Sequence, residues 1–496
     1  MKTRFAPSPT GYVHVGSLRA ALFPYLFSRK MGGKFVLRVE DTDQERLVEG
    51  AVENLLQTLE WAGLVPDEGP VLENGSIVQR GDVGPYIQSQ RLDIYQKYVQ
   101  ILLEKGDAYY AFDTSEELDE MRKNQELLKQ SPRYDREKMK NQFTLSPEET
   151  KRRVEAKESY VIRLKVPDHE TVVFTDVIRG EVSVKTSEID DQVLMKSDGF
   201  PTYHLAVVVD DHTMGITHVI RGEDWLPSTP KHILLYKAFG WEIPVHAHMP
   251  LLVNHEKQKL SKRKGDVSVE SFREKGYLPE AFVNFLAFLG WNPGDDREIF
   301  SLSELVDAFR LEKVQRGAAV FNIEKLNWYN KEYIKKMDLA ELTARAMPFL
   351  IKAGVITGNE DPVYLQKTIA LEKERMTVLS ELPEAVGFIF ATTLEYDPAI
   401  VIWKKDTREG SKEKLSLLAE FLDAVDEADW KFETLQEKIK AWITEKGFGV
   451  GDVLWPLRVS LSGRANSPGP FEIADVLGKE RTLLRIQEAI QKLVLL

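Results

Sequence analysis

Cysteine is absent from the 496 residues, which excludes disulfides, thiolate zinc sites and cysteine nucleophiles together and agrees with a reducing compartment. Also missing is any stretch approaching the roughly 18 consecutive apolar residues that a membrane helix needs, so no membrane partner is expected. The opening MKTRFAPSPTG lacks an apolar signal core, and Glu40, Asp41 and Asp43 follow too soon for an acid-poor transit peptide. A cytoplasmic location is expected. Basic residues are outnumbered, with a formal net charge of −12. That argues against a chain that coats nucleic acid non-specifically, because such binding is driven by phosphate neutralisation. Any polyanion must meet a local patch. NHEKQKLSKRKGD, Asn254 to Asp266, offers one, with five Lys and Arg residues within eight positions. No repeat of fixed period and no low-complexity tract occurs.

What is present is enough chain for about three to four domains. KFVLRVEDTD alternates like a strand and ends in three carboxylates, and GAVENLLQTLEWAGL follows with helical spacing. Strand and helix alternating in this order predict an α/β unit with a parallel sheet. Glu68 to Gly84 reads as an excursion, Leu92 to Lys105 as a helix, and Thr114 to Glu158 as a charged helical stretch. Strand patterns return in SYVIRLKVPD, TVVFTDVIRGEVSV and DQVLMKSDG. The sheet is expected to resume within PTYHLAVVVDDHTMGITHVIRGEDWL, whose AVVV run suits a strand buried on both faces. Beyond about residue 267 the patterns are almost entirely helical.

Chemistry is concentrated in two places. In RFAPSPTGYVHVGSLRAALF, Gly11 and Gly16 lie five apart as in a phosphate loop, but Ser17-Leu18 stand where Lys-Ser/Thr is required. No GxGxxG is present there either. Ser17 can cap a helix whose apolar face is Leu18, Ala21, Leu22, Tyr25 and Leu26, and the mouth of that helix favours an anion. His14, just ahead of it, could donate to a phosphate whose charge grows during displacement; a turn that merely starts a helix is the plain alternative. KLSKRKG, from Lys259, combines small residues with closely spaced cations, as a loop closing over a triphosphate needs.

Together the two stretches resemble the signatures of class I aminoacyl-tRNA synthetases: His14-Val15-Gly16-Ser17 for HIGH, and Lys259-Leu260-Ser261-Lys262-Arg263 for KMSKS. RFAPSPTG, LRVEDTD, GFPTYHLAVVVDDHTMGITHVIRGEDW, KLSKRKGD and the carboxyl-terminal WPLRVSLSGRANSPGPFEIADVLGKERTLLRIQEAI are similar to the bacterial glutamyl-tRNA synthetase family. That resemblance implies a Rossmann-type α/β catalytic domain split over 1–92 and 199–253, and an inserted α/β acceptor-end module at 93–198. It further implies a helical linking domain at 254–339 carrying KLSKR, and an all-helical anticodon-binding region at 340–496. The implied substrates are ATP with Mg²⁺, L-glutamate and tRNA(Glu), and a monomer is expected.

The resemblance also implies the site. His14, Gly16, Ser17, Lys259, Leu260, Ser261, Lys262 and Arg263 would meet ATP, with His14, Lys259 and Lys262 catalytic and Lys262 on the leaving pyrophosphate. Arg4, Ala6, Ser8, Glu40, Tyr203 and Arg221 would form the glutamate pocket. Glu40 would take the ammonium, Arg4 and Tyr203 the side-chain carboxylate, and Arg221 the α-carboxylate. Arginine offers only donors, so the amide nitrogen of glutamine would go unpaired there. No zinc is expected, and the pair His246 and His248 reads as a strand or loop end rather than a metal site. Ser17 departs from HIGH, Pro24 sits inside the following helix, and Val207 replaces an asparagine of some members. Three alternatives stand beside this reading: an enzyme glutamylating a modified tRNA nucleoside, a glutaminyl-tRNA synthetase, and an inert RNA-binding paralogue. The long helical carboxyl-terminal part disfavours the first two, and intact His14, Lys259 and Lys262 the third.

Overall fold

Lys2–Phe5 (β1) and Lys34–Leu37 (β2) run parallel, Thr3 opposite Phe35, and the helix Val15–Lys30 (α1) connects them. The connection is a crossover of the kind parallel strands require. Leu18, Ala21, Leu22 and Leu26 recur at helical spacing and are fully buried on α1. Pro24 lies inside α1 without ending it, and its carbonyl accepts from Thr3 Oγ1 at 2.9 Å, fastening helix to strand.

This computed structural model describes residues 1–260 and 267–496. The chain forms two units, Met1–Arg273 with Pro279–Ile323, and Glu274–Leu278 with Glu324–Leu496. The main sheet of the first unit also contains Thr171–Asp176 (β3), Gly180–Lys185 (β4), His218–Gly222 (β5) and Val245–Met249 (β6). Its order is β2-β1-β5-β6-β3-β4, parallel throughout except for the antiparallel β3–β4 hairpin. Thus the segment set aside as an insertion contributes two strands to the main sheet. It also holds a three-stranded sheet of its own, formed by Ala108–Ala111, Val161–Leu164 and Val193–Met195.

One expected strand is a helix. Tyr203–Thr213 (α2) contains the whole AVVV run, and the strand of that region is β5 further on. A short apolar run bounded by polar residues is compatible with either buried element. Here Leu205 to Val209 are buried on every side, so packing overrides the β preference of the valines. The charged stretch after Thr114 is likewise two helices, Ser115–Leu127 and Pro147–Glu155, separated by irregular chain. Leu92–Lys105 is helical as expected, and Glu68 to Gly84 contains the antiparallel hairpin Gly69–Glu73 with Ser76–Arg80.

In the second unit, the helices Arg408–Asp423, Phe432–Lys446, Val450–Ser462 and Pro470–Leu495 pack around Leu418, Leu435, Val459, Leu461 and Ile486. The last of them bends at Gly478, whose φ of 76° interrupts the helical backbone. Among the described residues no helix is long and apolar enough to cross a membrane.

Charge is buried inside the first unit. Asp210 accepts from Arg91 Nε at 2.7 Å, Gln88 Nε2 at 2.8 Å and Tyr95 Oη at 2.9 Å, with Arg38 Nε at 3.5 Å. Asp210→Ala would leave the buried Arg91 guanidinium without a counter-charge, while Arg38 keeps Asp211 and Glu40, a loss of about 3–5 kcal/mol. Urea denaturation checks this, and a loss below about 1 kcal/mol would mean that the cluster does not hold the fold together.

Candidate active site

His14 precedes α1 with an extended backbone, and its Nδ1 accepts from Gly16 N at 3.1 Å and Ser17 N at 3.3 Å. The imidazole therefore performs the capping expected of Ser17. Because Nδ1 spends its lone pair on backbone N–H groups, the neutral ring carries its proton on Nε2, which lies 3.1 Å from Ser17 Oγ. Gly16 is needed for closeness: a Cβ there would lie 3.0 Å from His14 Cε1.

The chain just beyond the basic segment reaches this same place. Val15 N donates to Val267 O and Val269 N to Val13 O, each at 3.0 Å, with His14 facing Ser268 in an antiparallel bridge. On the other side Leu260 N donates to Leu252 O at 3.1 Å, and Val253 bridges Lys259. Lys259 Nζ pairs with Asp224 Oδ2 at 3.0 Å, both side chains being exposed. Ser261, Lys262 and Arg263 lie outside the described residues. Arg19 ties α1 to the chain on either side of this segment: one terminal nitrogen donates to Pro250 O and the other to Leu289 O at 2.8 Å.

Of the remaining candidates, all but Tyr203 stand at or just beyond the carboxyl ends of parallel strands, where open α/β sheets bind ligands. Arg4, on β1, gives its Nε to Asp211 at 3.2 Å, and its terminal nitrogens make no hydrogen bond among the described residues. Ala6 is half-buried and Ser8 exposed on the chain leaving β1. Glu40 is held by Arg38, whose Nη2 donates to it at 3.1 Å while Nη1 meets Asp211 at 2.8 Å. Burial pushes the Glu40 carboxyl up to about 7, although the Arg38 and Arg4 guanidiniums pull it down. Burial also opposes the charge on Asp211, but Arg4 and Arg38 outweigh it and keep that carboxyl below its ordinary value.

Arg221, on β5, meets no carboxylate among the described residues. Its Nε donates to His248 Nε2 at 3.0 Å, its Nη1 to Tyr203 Oη at 2.8 Å and its Nη2 to Thr229 Oγ1 at 2.9 Å. Tyr203 opens α2 beneath Trp225, the rings 4.3 Å apart, and burial raises its phenol. Val207 is core. His246 and His248 lie within β6 rather than at its end. Burial keeps the imidazoles neutral, with His204 and His246 pushed down to about 3 and His232 and His248 also lowered.

Sequence reasoning missed Arg38, Asp210, Asp211 and Asp176. The available signal was charge inside apolar patterns: Arg38 in KFVLRVE, and two aspartates closing the AVVV run.

Residues 1–328 match the family described as tRNA synthetases class I (E and Q), catalytic domain, and residues 341–490 match an anticodon binding domain. Fold and site thus define a class I aminoacyl-tRNA synthetase. The glutamate–tRNA ligase of Clostridioides difficile is 48% identical over 98% of both chains, and that of Alkaliphilus metalliredigens 46% identical over 100% of this chain and 99% of its own. A crystal structure of a glutamate–tRNA ligase from Elizabethkingia meningosepticum in complex with its amino acid superposes with a TM-score of 0.88, at 40% identity over 99% of both chains. The chain belongs to the glutamate–tRNA ligase family.

Capping and chemistry at His14 are separable. His14→Ala removes the cap acceptor and should cost about 1 kcal/mol in unfolding free energy, whereas His14→Asn keeps an acceptor and should cost a few tenths. Equal losses in denaturant titration would show that the ring does not cap α1.

Proposed function

We infer that the chain activates L-glutamate with ATP, forming glutamyl-adenylate and pyrophosphate, and then transfers the glutamyl group to the terminal ribose of tRNA(Glu), releasing AMP. The observation that carries this reading is the backbone ladder joining residues 13–15 to 267–269, which brings the chain just beyond the basic segment to the mouth of α1.

In the first step an α-carboxylate oxygen of glutamate attacks the α-phosphorus, and the bond to the β-phosphate oxygen breaks with its electron pair leaving on pyrophosphate. In the second, a ribose hydroxyl attacks the acyl carbon, loses its proton and displaces AMP. Neither step needs a side-chain nucleophile; alignment and charge stabilisation suffice. His14, protonated on Nε2, donates to a phosphate oxygen in place of Ser17 Oγ. Gly16 and Ser17 hold that ring at the helix mouth. Lys259 exchanges Asp224 for phosphate, a small change because exposed ion pairs are worth about 0–1 kcal/mol. Leu260 holds the hairpin that presents Lys259. Ser261, Lys262 and Arg263, outside the described residues, are assigned to ATP on the sequence motif, with Lys262 on the leaving pyrophosphate. Among the described residues no group of three or more acidic or histidine side chains forms a metal site, so Mg²⁺ is assigned to the nucleotide's phosphates and not to a protein cage.

For the amino acid, the open terminal nitrogens of Arg4 and the Tyr203 hydroxyl face the side-chain carboxylate. Glu40 receives the ammonium, Arg221 the α-carboxylate, and the chain at Ala6 and Ser8 lines the floor. The three-stranded module within 93–198 is assigned to the tRNA acceptor end, 254–339 to linking, and the helices of 340–496 to the anticodon. The protein is proposed to work as a cytoplasmic monomer.

ATP–pyrophosphate exchange tests the reaction: it should require glutamate and tRNA and fail with glutamine. Exchange with glutamine and not glutamate would overturn the assignment. Glu40 adds a pH signature. As pH falls through about 7 its carboxylate takes up a proton and can no longer hold an ammonium, so KM for glutamate should rise while KM for ATP holds. A glutamate KM that stays flat between about pH 6 and 8 would remove Glu40 from the pocket.

A further inference from the structure

We propose that Asp176 and His248 are positioning residues that fix the direction of the hydrogen bonds reaching the substrate side chain through Arg221 and Tyr203. The inference rests on the glutamate pocket described above and concerns how that pocket comes to offer only donors.

Asp176 ends β3, outside the strands that carry the pocket, and both it and His248 are fully buried. One carboxylate oxygen accepts from Ile178 N and Arg179 N, each at 2.9 Å. The other accepts from His248 N at 3.1 Å and lies 2.6 Å from His248 Nδ1. A carboxylate so surrounded by donors is an acceptor and nothing else. Its partner nitrogen, Nδ1, therefore carries the proton, and Nε2 keeps the lone pair. Arg221 imposes the same tautomer from the opposite side, because a guanidinium can only donate and its Nε points at Nε2 from 3.0 Å.

The polarity continues outward. Arg221 Nη1 donates to Tyr203 Oη at 2.8 Å, which fills that oxygen as an acceptor and turns its own hydrogen elsewhere. Among the described residues nothing accepts that hydrogen. The chain Asp176, His248, Arg221, Tyr203 thus leaves a donor at its open end. A carboxylate satisfies such a donor, whereas the amide nitrogen of glutamine does not. Interposing a neutral imidazole has a second effect. Asp176 holds Arg221 in place without touching it, so the guanidinium charge is not consumed by a direct carboxylate contact and stays available to the substrate.

Steady-state kinetics on three full-length variants test this. His248→Leu removes the acceptor and should raise KM for glutamate about tenfold, the scale of one charge-assisted hydrogen bond, while KM for ATP stays within about twofold. His248→Gln can offer its side-chain carbonyl to Arg221 and should recover most of the loss. Tyr203→Phe removes the terminal donor and reports on the pocket itself. Nitrogen-15 spectra of the histidine-labelled wild type should show His248 protonated on Nδ1. Equal defects in the Leu and Gln variants, a parallel rise in KM for ATP, or a proton on Nε2 would overturn the relay. If Tyr203→Phe raises KM for glutamate and His248→Leu does not, the relay alone fails. If Tyr203→Phe has no effect, the pocket assignment fails first.

Discussion

Asp210 and Asp211 are consecutive on α2, so their side chains diverge around the helix and each meets different guanidiniums. Asp211 takes Arg4 and Arg38, and Asp210 takes Arg91 and the remaining face of Arg38. Buried ions of this kind persist only when each finds a partner, since an isolated one is penalised by several kcal/mol. β1, the end of β2, α2 and the start of Leu92–Lys105 are thereby locked into one mutual arrangement. Glu40 and the open end of Arg4 are the outward face of that lattice. The proposed glutamate pocket is the point where the charge pattern stops short of closing on itself.

The side proposed for the nucleotide is held by different forces. There the backbone supplies the constraint, through a two-bond ladder at His14 and a hairpin at Lys259, while the side-chain ion pair is exposed and exchangeable. Different lifetimes suit different tasks: discrimination between two acidic or amide side chains calls for fixed donors, whereas phosphates must be gripped and released in each turnover.

Much of this was legible in the sequence because signature residues are placed by local rules. β2, Leu92–Lys105 and the carboxyl-terminal helices follow their apolar spacing, whereas the cap of α1, expected at Ser17, falls to His14, because the path of the loop decides which side chain turns back onto the helix mouth. The AVVV run failed because periodicity is silent where every side is buried, and the insertion's share of the main sheet was hidden because β3 pairs with β6, about seventy residues away. Arg38, Asp210 and Asp211 were invisible for a related reason. A buried ion is recognised by its partners, and those partners come together only in three dimensions. The attachment of Arg221 to His248 instead of an acid was not foreseeable from spacing, since the two residues meet only across adjacent strands.

The group of neutral imidazoles around Arg221 sets how this molecule meets acid. An unfolded chain takes up protons on histidine below about pH 6.5, while His204 and His246 in the core refuse them until about 3. Across that interval the unfolded state binds more protons, so each such ring drains roughly 1.4 kcal/mol of stability per pH unit. The same rings are indifferent above neutrality, where folded and unfolded forms are both uncharged. Mild acidification therefore weakens the first unit from within, at the uncharged rings around Arg221.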